Sequence, residues 1–456
     1  MQDSTGSGSP PVGQKRVAVV GFGYVGTIMG AYLASRGLPV MAIESREAVV
    51  DSIQHGRMHI REAGLSEVLL PLVQKGSVSI TRSPEAIKDT DTVIVTVGTP
   101  LGRGRAPDLS ALTQVAAELA PHLHRGHLVI LKSTIPPGTT RTVVAPILEK
   151  AGLKAGVDFY LAYCPERLAE GNALSEVPQL PVVVSGINEA STESAERFWQ
   201  AAGLQTVRVG SLEAAELVKL ADNVWIDLTI ALTNELARVC ERLGVDALDV
   251  IRAANTLKKG QSFVNYLHPG IGVGGSCLTK DPWFFADLAA SVGWEVRLPK
   301  IGREVNEMVP SHVATTISSE LRRRGGVQGA KVAILGFAFK GSTGDTRNTP
   351  VKPIVNRIRR SGWTVAIYDP WVPSAQIQEE SGISPQSSLE ACVRDAACVL
   401  VATGHPEFVG LKPAELRAAA PGCIVYDGWH VLDSTEFVRA GFEYFSPGKH
   451  VGSSRA

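Results

Sequence analysis

The sequence predicts an α/β fold: two Rossmann-like, doubly wound parallel-sheet domains joined by a helical central domain with a long spine helix. Three features of the 456-residue chain carry that prediction. Near the N-terminus a short apolar run, KRVAVV (15–20), leads into a glycine turn, GFGYVG (21–26), and then a helix-compatible stretch. The same order of strand, glycine turn and helix returns in GGVQGAKVAILGFAFKG (325–341) and the residues after it. Between the two, the chain from Glu213 to Leu243 keeps a helical period with no glycine or proline.

Taken in order, TIMGAYLASRG reads as a helix stopped by Gly37, and LPVMAIE as a strand ending in Glu44. Further β-type runs follow at DTVIVTVGTP (91–100), HLVILKST (127–134) and DFYLAYCPE (158–166), separated by helical stretches. Alternation of this kind argues for a parallel sheet covered on both faces. The glycine-free run beyond Glu213 could span roughly 45 Å as one helix, a length suited to the spine of an all-α segment or a subunit contact. In the last third, TPVKPIVNRIRRSG reads as a helix, and TVAIYDP, ACVLVATGH (397–405) and CIVYDGWH (423–430) as strands. The two α/β units look like a distant internal duplication. The expected boundaries are a disordered tail (1–14), a first domain (15–205), a central helical domain (206–320), a second α/β domain (321–445) and a tail (446–456).

Length alone argues for two or three domains. Lys plus Arg and Asp plus Glu each total 45, so the formal net charge is zero. That balance argues against nucleic acid or an anionic membrane as the main partner. Six cysteines stand at wide, irregular spacings with no C-x-x-C pair, which suggests neither a zinc site nor a disulfide scaffold. The expected compartment is reducing cytoplasm. The polar start, MQDSTGSGSPPVGQ, lacks the apolar segment of a secretory signal, and no 18-residue apolar run occurs.

GFGYVG fits G-x-G-x-x-G. Gly21 permits the tight turn, Gly23 lets the backbone approach a pyrophosphate, and Gly26 allows close helix–strand packing. The helix that follows offers free N–H groups to phosphates. Glu44, 23 positions after Gly21, stands where a carboxylate binds a ribose 2′-OH, which favours NAD over its 2′-phosphorylated relative. Arg46 reads as a solvated charge. Other motifs admit two readings each. Lys219 and Asn223, four apart on the long helix, share a face and could point at one oxygen, or could be a surface lysine beside a polar neighbour. Glu166 and Glu170 follow a strand end, where α/β ligand sites lie, or are loop carboxylates facing water. Ser133 and Thr134 could order a water or a nicotinamide amide, or could cap a helix. Lys340 and Arg347 flank the second glycine turn and could address phosphates, or be solvated loop charges. In GVGGSCLTKDPWFF (272–285) a cysteine follows a glycine run and precedes Lys280 and Asp281, neighbours that a packing cysteine does not need.

GFGYVG, VGTP (97–100), KSTIPPGTT (132–140), PERLAEG (165–171), ELVKLADN (216–223), GVGGSC-x-x-KD and GFAFK-x-x-TGDTR occur here in the order found in the UDP-glucose/GDP-mannose dehydrogenases, and over residues 15–440 the chain resembles that family. The resemblance implies an NAD-dependent oxidation of the C6 alcohol of a nucleotide sugar to a carboxylate, with NAD bound by the first domain and the UDP moiety by the last. It implies that Cys277 is the nucleophile, that Lys219 and Asn223 stabilise an oxyanion, and that Asp281 is the acid/base. Glu166 would contact the sugar and assist catalysis. Thr134 and Glu170 would lie near the nicotinamide, with Thr134 also positioning water. Lys280 and Arg347 would reach the cofactor from outside the first domain, and Lys340 would bind substrate. The same carry-over puts Gly21, Gly23, Tyr24, Val25, Gly26, Glu44 and Thr99 at the cofactor, and Arg167, Leu168, Tyr266, Gly274 and Phe339 at the substrate. No metal is implied. The partners implied are a UDP-sugar and a further copy of the chain, as a homodimer or higher homo-oligomer.

The cysteine then has a chemical purpose. A four-electron oxidation passes through an aldehyde, which yields a second hydride readily only after a nucleophile has added to it. The glycines of GVGGSC would let the backbone close around the sugar. PER (165–167) and HPGIGVGG (268–275) resemble the branch acting on UDP-N-acetylhexosamines, whereas GGSC followed by KD is closer to the UDP-glucose branch. The expected substrate is a UDP-N-acetylhexosamine, with UDP-glucose or an unusual nucleotide sugar as the alternative. Two stretches depart from the family pattern. Residues 255–270 lack an arginine, for which Lys258 or Lys259 could substitute, and Trp429 and His430 stand where an arginine is usual.

Overall fold

The computed structural model describes residues 16–102, 107–260 and 262–451. The expected N-terminal tail lies outside them. The described chain forms two compact units that divide after Leu220.

The first unit is built on an eight-stranded sheet. Its strands are β1 (Val17–Val20), β2 (Val40–Ile43), β3 (Val78–Thr81), β4 (Thr92–Val95), β5 (Leu128–Leu131), β6 (Tyr160–Tyr163), β7 (Val182–Gly186) and β8 (Thr206–Arg208). They lie in the order β3-β2-β1-β4-β5-β6-β7-β8. The first six are mutually parallel and wind outward from β1 in both directions, so the crevice opens between β1 and β4. Strand residues alternate between two apolar layers. Val17, Val19, Ile94 and Ile130 face one, and Ala18, Val20, Val95 and Leu131 face the other. A sheet covered on both sides requires strands with almost no polar positions, which is why these runs read as unbroken apolar stretches. The parallel expectation fails at one edge, where β7 pairs antiparallel with β6.

The second unit holds most of the spine helix, Leu212–Leu243, which crosses the division between the units. It also holds a small hairpin, β9 (Lys258–Lys259) with β10 (Ser262–Phe263), and a six-stranded sheet. The strands of that sheet are β11 (Lys331–Leu335), β12 (Thr364–Tyr368), β13 (Ala396–Val401), β14 (Ile424–Asp427), β15 (Glu443–Ser446) and β16 (Lys449–Val451). Their order, β12-β11-β13-β14-β15-β16, places the switch point between β11 and β13. The duplication is therefore one of architecture with unequal sheets. The expected tail from 446 is corrected in part: β16 turns back and pairs antiparallel with β15, so the sheet continues to Val451.

Candidate active site

In the first unit the glycine turn has the geometry a dinucleotide needs. Gly21 sits at φ +87°, a conformation that favours glycine, and a Cβ on Gly26 would lie 2.0 Å from the Gly21 carbonyl oxygen. A Cβ on Gly23 would meet only the Arg46 guanidinium, at 3.7 Å, so the turn is open on that side. The helix Tyr24–Ser35 starts at once, and no side chain caps its first N–H groups, including that of Val25. These residues fit a pyrophosphate.

Glu44, at the end of β2, is 5 % exposed. Arg46 is exposed, as expected, but it is paired. Its Nε and terminal nitrogen donate to the two Glu44 oxygens at 3.0 and 3.1 Å, and its backbone N–H adds a third bond at 3.0 Å. Burial alone would raise the Glu44 carboxyl, but these Arg46 contacts outweigh it and hold the group below the ordinary range. The Phe22 backbone N–H lowers it further.

Tyr24 begins the helix, and its hydroxyl donates to Glu62, a residue the sequence reading missed. The two Glu62 oxygens accept the backbone N–H groups of Gly171 and Ala173, each at 2.8 Å. The dinucleotide turn is thereby joined to the loop that carries Glu166, Arg167, Leu168 and Glu170. In that loop the Leu168 N–H donates to the Glu166 carboxylate, and the Leu168 side chain packs on the sheet core. Thr99 donates its hydroxyl to the Thr134 carbonyl at 2.5 Å, which aligns the ends of β4 and β5. Ser133 donates its hydroxyl to the Val97 carbonyl at 2.7 Å. On the spine helix, Glu216 is fully buried and accepts the N–H groups of Gly138 and Thr140. One turn later, Lys219 is 5 % exposed, which removes the surface-lysine reading.

The second unit carries the cysteine. Cys277 is exposed, whereas the other five cysteines are buried. Its carbonyl accepts the N–H groups of Lys280 and Asp281 at 2.9 and 2.8 Å, and the helix Asp281–Ser291 starts there. Asp281 is fully buried, and one of its oxygens accepts from the Asn223 amide. The other lies 3.0 Å from Lys280 Nζ, close enough for an ion pair but off the line for a hydrogen bond. The Lys280 ammonium also sits over the Phe284 ring, 4.3 Å from its centroid.

The glycine run has a packing cause of its own. A Cβ on Gly274 would come within 2.6 Å of Phe339 Cβ, and one on Gly275 within 3.0 Å of the Phe339 ring. The Gly275 N–H donates to the Arg347 carbonyl, and Asn348 donates to Thr279. The cysteine loop is thus pressed against the second glycine turn, beside Lys340. The Arg347 guanidinium is chelated by Asp345 two residues away. Tyr266 is anchored through its backbone, whose N–H and carbonyl both bond Asn255. Of the two departures, 255–270 contains the hairpin with Lys258 and Lys259 exposed. Trp429 donates its indole N–H to the Ala402 carbonyl, and His430 takes a left-handed backbone, φ +55°. Among the described residues no cluster of three or more His, Cys, Asp or Glu is placed to hold a metal, and no helix is long and apolar enough to cross a membrane.

Three sequence models of the UDP-glucose/GDP-mannose dehydrogenase family match in succession. They are the NAD-binding domain at residues 15–202, the central domain at 213–308 and the UDP-binding domain at 333–434. The chain is similar to the solved UDP-N-acetylmannosamine dehydrogenase of Pyrococcus horikoshii, with 34 % identity, 95 % and 99 % of the two chains covered and a TM-score of 0.84. It is also similar to the solved UDP-glucose dehydrogenase of Pyrobaculum islandicum, with 30 % identity, 97 % and 100 % covered and a TM-score of 0.83. The UDP-N-acetyl-D-glucosamine 6-dehydrogenase of Pseudomonas aeruginosa is 31 % identical, with 92 % of this chain and 97 % of that one covered. The chain therefore belongs to the UDP-glucose/GDP-mannose dehydrogenase family and is an NAD-dependent UDP-sugar dehydrogenase, an oxidoreductase.

Proposed function

We propose that the protein oxidises the C6 alcohol of a UDP-N-acetylhexosamine to the carboxylate in two successive steps, through a thiohemiacetal and a thioester on Cys277. The observation that carries this reading is the exposed Cys277 one turn before a buried carboxylate, Asp281, that the Asn223 amide holds. Bound NAD supplies the hydride acceptor in each step. As the first hydride leaves C6, the hydroxyl proton passes to a base and an aldehyde forms. The Cys277 thiolate adds to the aldehyde carbon and gives a thiohemiacetal alkoxide. That alkoxide re-forms its carbonyl as the second hydride leaves, which produces the thioester. Water then adds, the thiolate departs, and the acid is released. One alcohol and one water yield one carboxylate, two hydrides and three protons.

Lys219 and the second N–H of the Asn223 amide stabilise the developing oxyanion. Asp281 moves the proton of the attacking water, and Thr134 orients that water. Glu166, Arg167, Leu168, Tyr266, Gly274, Phe339 and Lys340 bind the UDP-sugar. The cofactor is held by Gly21, Gly23, Tyr24, Val25, Gly26, Glu44, Thr99 and Glu170, and by Lys280 and Arg347. The acetamido sugar is supported by PER (165–167), by HPGIGVGG (268–275) and by two of the three relatives above. UDP-glucose is the second reading, favoured by the Pyrobaculum likeness.

The active species is a homodimer or a multiple of it. On the spine helix Trp225, Leu232, Val239 and Leu243 form one exposed apolar stripe. Asn223, Asp227, Asn234 and Glu241 are buried on the opposite face. An apolar stripe left exposed along a long helix calls for a partner.

The test is NADH formed per sugar consumed, with excess NAD, on UDP-N-acetylmannosamine, UDP-N-acetylglucosamine and UDP-glucose in parallel. Two NADH per sugar, with the highest kcat/KM on an acetamido sugar, is expected. One NADH per sugar with aldehyde accumulating would remove the role of Cys277, and a preference for UDP-glucose would move the protein to the other branch.

A further inference from the structure

One buried charge near the Glu166 loop has no place in the chemistry above. Lys132 follows β5 directly, and only 6 % of it is exposed. Its ammonium donates to the carbonyls of Cys164, at 3.2 Å, and Pro165, at 3.5 Å. It lies 5.1 Å from the centre of the Trp199 ring, and Trp199 in turn donates its indole N–H to the Cys164 sulfur. Among the described residues no carboxylate stands within ion-pair distance of it. Burial without a counter-ion pulls its pKa below the usual lysine value.

Such a group is a poor choice for stability alone. A buried ammonium loses its hydration, and two main-chain carbonyls return only part of it. A methionine would fill nearly the same volume at no such cost. The position of the two carbonyls suggests another purpose. The ladder between β5 and β6 ends with the Cys164 N–H bonded to the Leu131 carbonyl. Pro165 has no N–H to extend it, and Glu166 and Arg167 come next. Beyond them the Leu168 side chain packs on the sheet core, and main-chain bonds resume where Ala169 donates to Glu176 and Gly171 to Glu62. Lys132 therefore fixes the chain at the point where it leaves the sheet. A cavity of about 30 Å³ lies beside it, lined by Lys132 itself with Pro165, Glu166, Arg167 and Leu168, so the loop is not fully packed there. The Lys132 charge also attracts the Glu166 carboxylate and repels the Lys219 ammonium.

We propose that Lys132 is a positioning residue, whose ammonium holds the Cys164 and Pro165 carbonyls so that Glu166 and Arg167 are presented to the sugar. The proposal rests on the reading that this loop meets the substrate. It predicts a separation between stability and activity. Lys132→Met is expected to melt at or above the parent temperature while kcat/KM for the UDP-sugar falls by about tenfold to a hundredfold, the scale of an ångström-sized misplacement. The KM for NAD is expected to stay within about twofold of the parent, because the dinucleotide turn is untouched. Lys132→Arg, which keeps charge and donors, restores part of the activity. Amide exchange at Arg167 and Leu168 quickens in the methionine variant and not in the arginine one, while that of Gly171, held by Glu62, keeps the parental rate.

Parental kinetics in Lys132→Met would overturn the proposal. So would a melting temperature well below the parent, which would assign the ammonium to the fold. Glu166→Gln, measured in parallel, separates the two claims. If that variant is impaired while Lys132→Met is not, the Lys132 proposal alone fails. If it keeps parental kinetics, the underlying reading of the loop fails.

Discussion

A cysteine reacts as its thiolate, so the question at each of the six positions is how much thiolate exists there. Burial pushes the Cys164 thiol up to about 11 and those of Cys392 and Cys423 up to about 12, while Cys398 and Cys240 also move upward from the same cause. At pH 8 a thiol titrating near 11 is thiolate to only about 0.1 %, and it is shut away from solvent as well. Cys277 is the exposed member of the set. Iodoacetamide at pH 8 should therefore inactivate the native enzyme with one adduct, on Cys277, and saturating UDP-sugar should slow the reaction. The same reagent in denaturant should give six. A native adduct on any other cysteine, or an active enzyme carrying the Cys277 adduct, would refute the assignment. Cys277 was legible because glycines, a lysine and an aspartate crowd it within a dozen residues. Glu62 and Lys132 were not, since each is a buried charge whose hydrogen-bond partners lie 32 to 111 positions away. No local spacing encodes such a pairing.

At the scale of elements, the strands of both sheet cores were readable because burial on both faces leaves them almost wholly apolar. The peripheral strands were not. β3 alternates valine and isoleucine with serine and threonine, β8 is three residues of mixed polarity, and the hairpin strands are two residues each. The glycine run shows the opposite limit, a motif that was seen but given an incomplete cause. Its glycines were expected to let the backbone close on the sugar, and the structure adds their fit against Phe339 and the Arg347–Pro350 segment. Gly274→Ala puts a methyl 2.6 Å from Phe339 Cβ and 2.9 Å from the Asn348 carbonyl, so something must move. Overpacking of this kind costs about 1–3 kcal/mol. Thermal unfolding should show that loss, and Phe339→Gly in the same chain, which removes the clashing Cβ, should recover part of it through a favourable coupling. Strict additivity of the two substitutions would mean that Phe339 is not what Gly274 makes room for.

At the scale of the whole molecule, both α/β units were legible because each repeats one order of strand, glycine turn and helix. The helix between them was legible in length but not in orientation, since its polar and apolar positions are both periodic and only the structure tells which side is covered. The covered side is mixed, with Ala231, Ala237 and Cys240 buried among its polar residues. Arg303 donates to the Asp227 carboxylate at 2.8 Å, and Asn306 bonds both Asp227 and Asn234. These bonds tie the spine to the helix Leu298–Arg323, which exposes Leu298, Ile301 and Met308 of its own. Trp225, Leu232 and Val239 recur every seven residues, the spacing at which a two-fold axis can set like against like. Zero net charge leaves two copies little long-range repulsion to overcome. Trp225, 61 % exposed, is the large aromatic of the stripe, and such anchors typically account for about 2–4 kcal/mol of an interface, or roughly 30- to 1000-fold in Kd. Trp225→Glu and Leu232→Arg should each shift the sedimentation-equilibrium mass of the protein toward 48.4 kDa, the mass of one chain, at concentrations where the parent is dimeric or larger. The circular-dichroism spectrum should not change, because neither side chain contributes to the buried face. A parent that sediments at one chain mass, or variants that keep the parental mass, would mean that the stripe faces something other than a second copy.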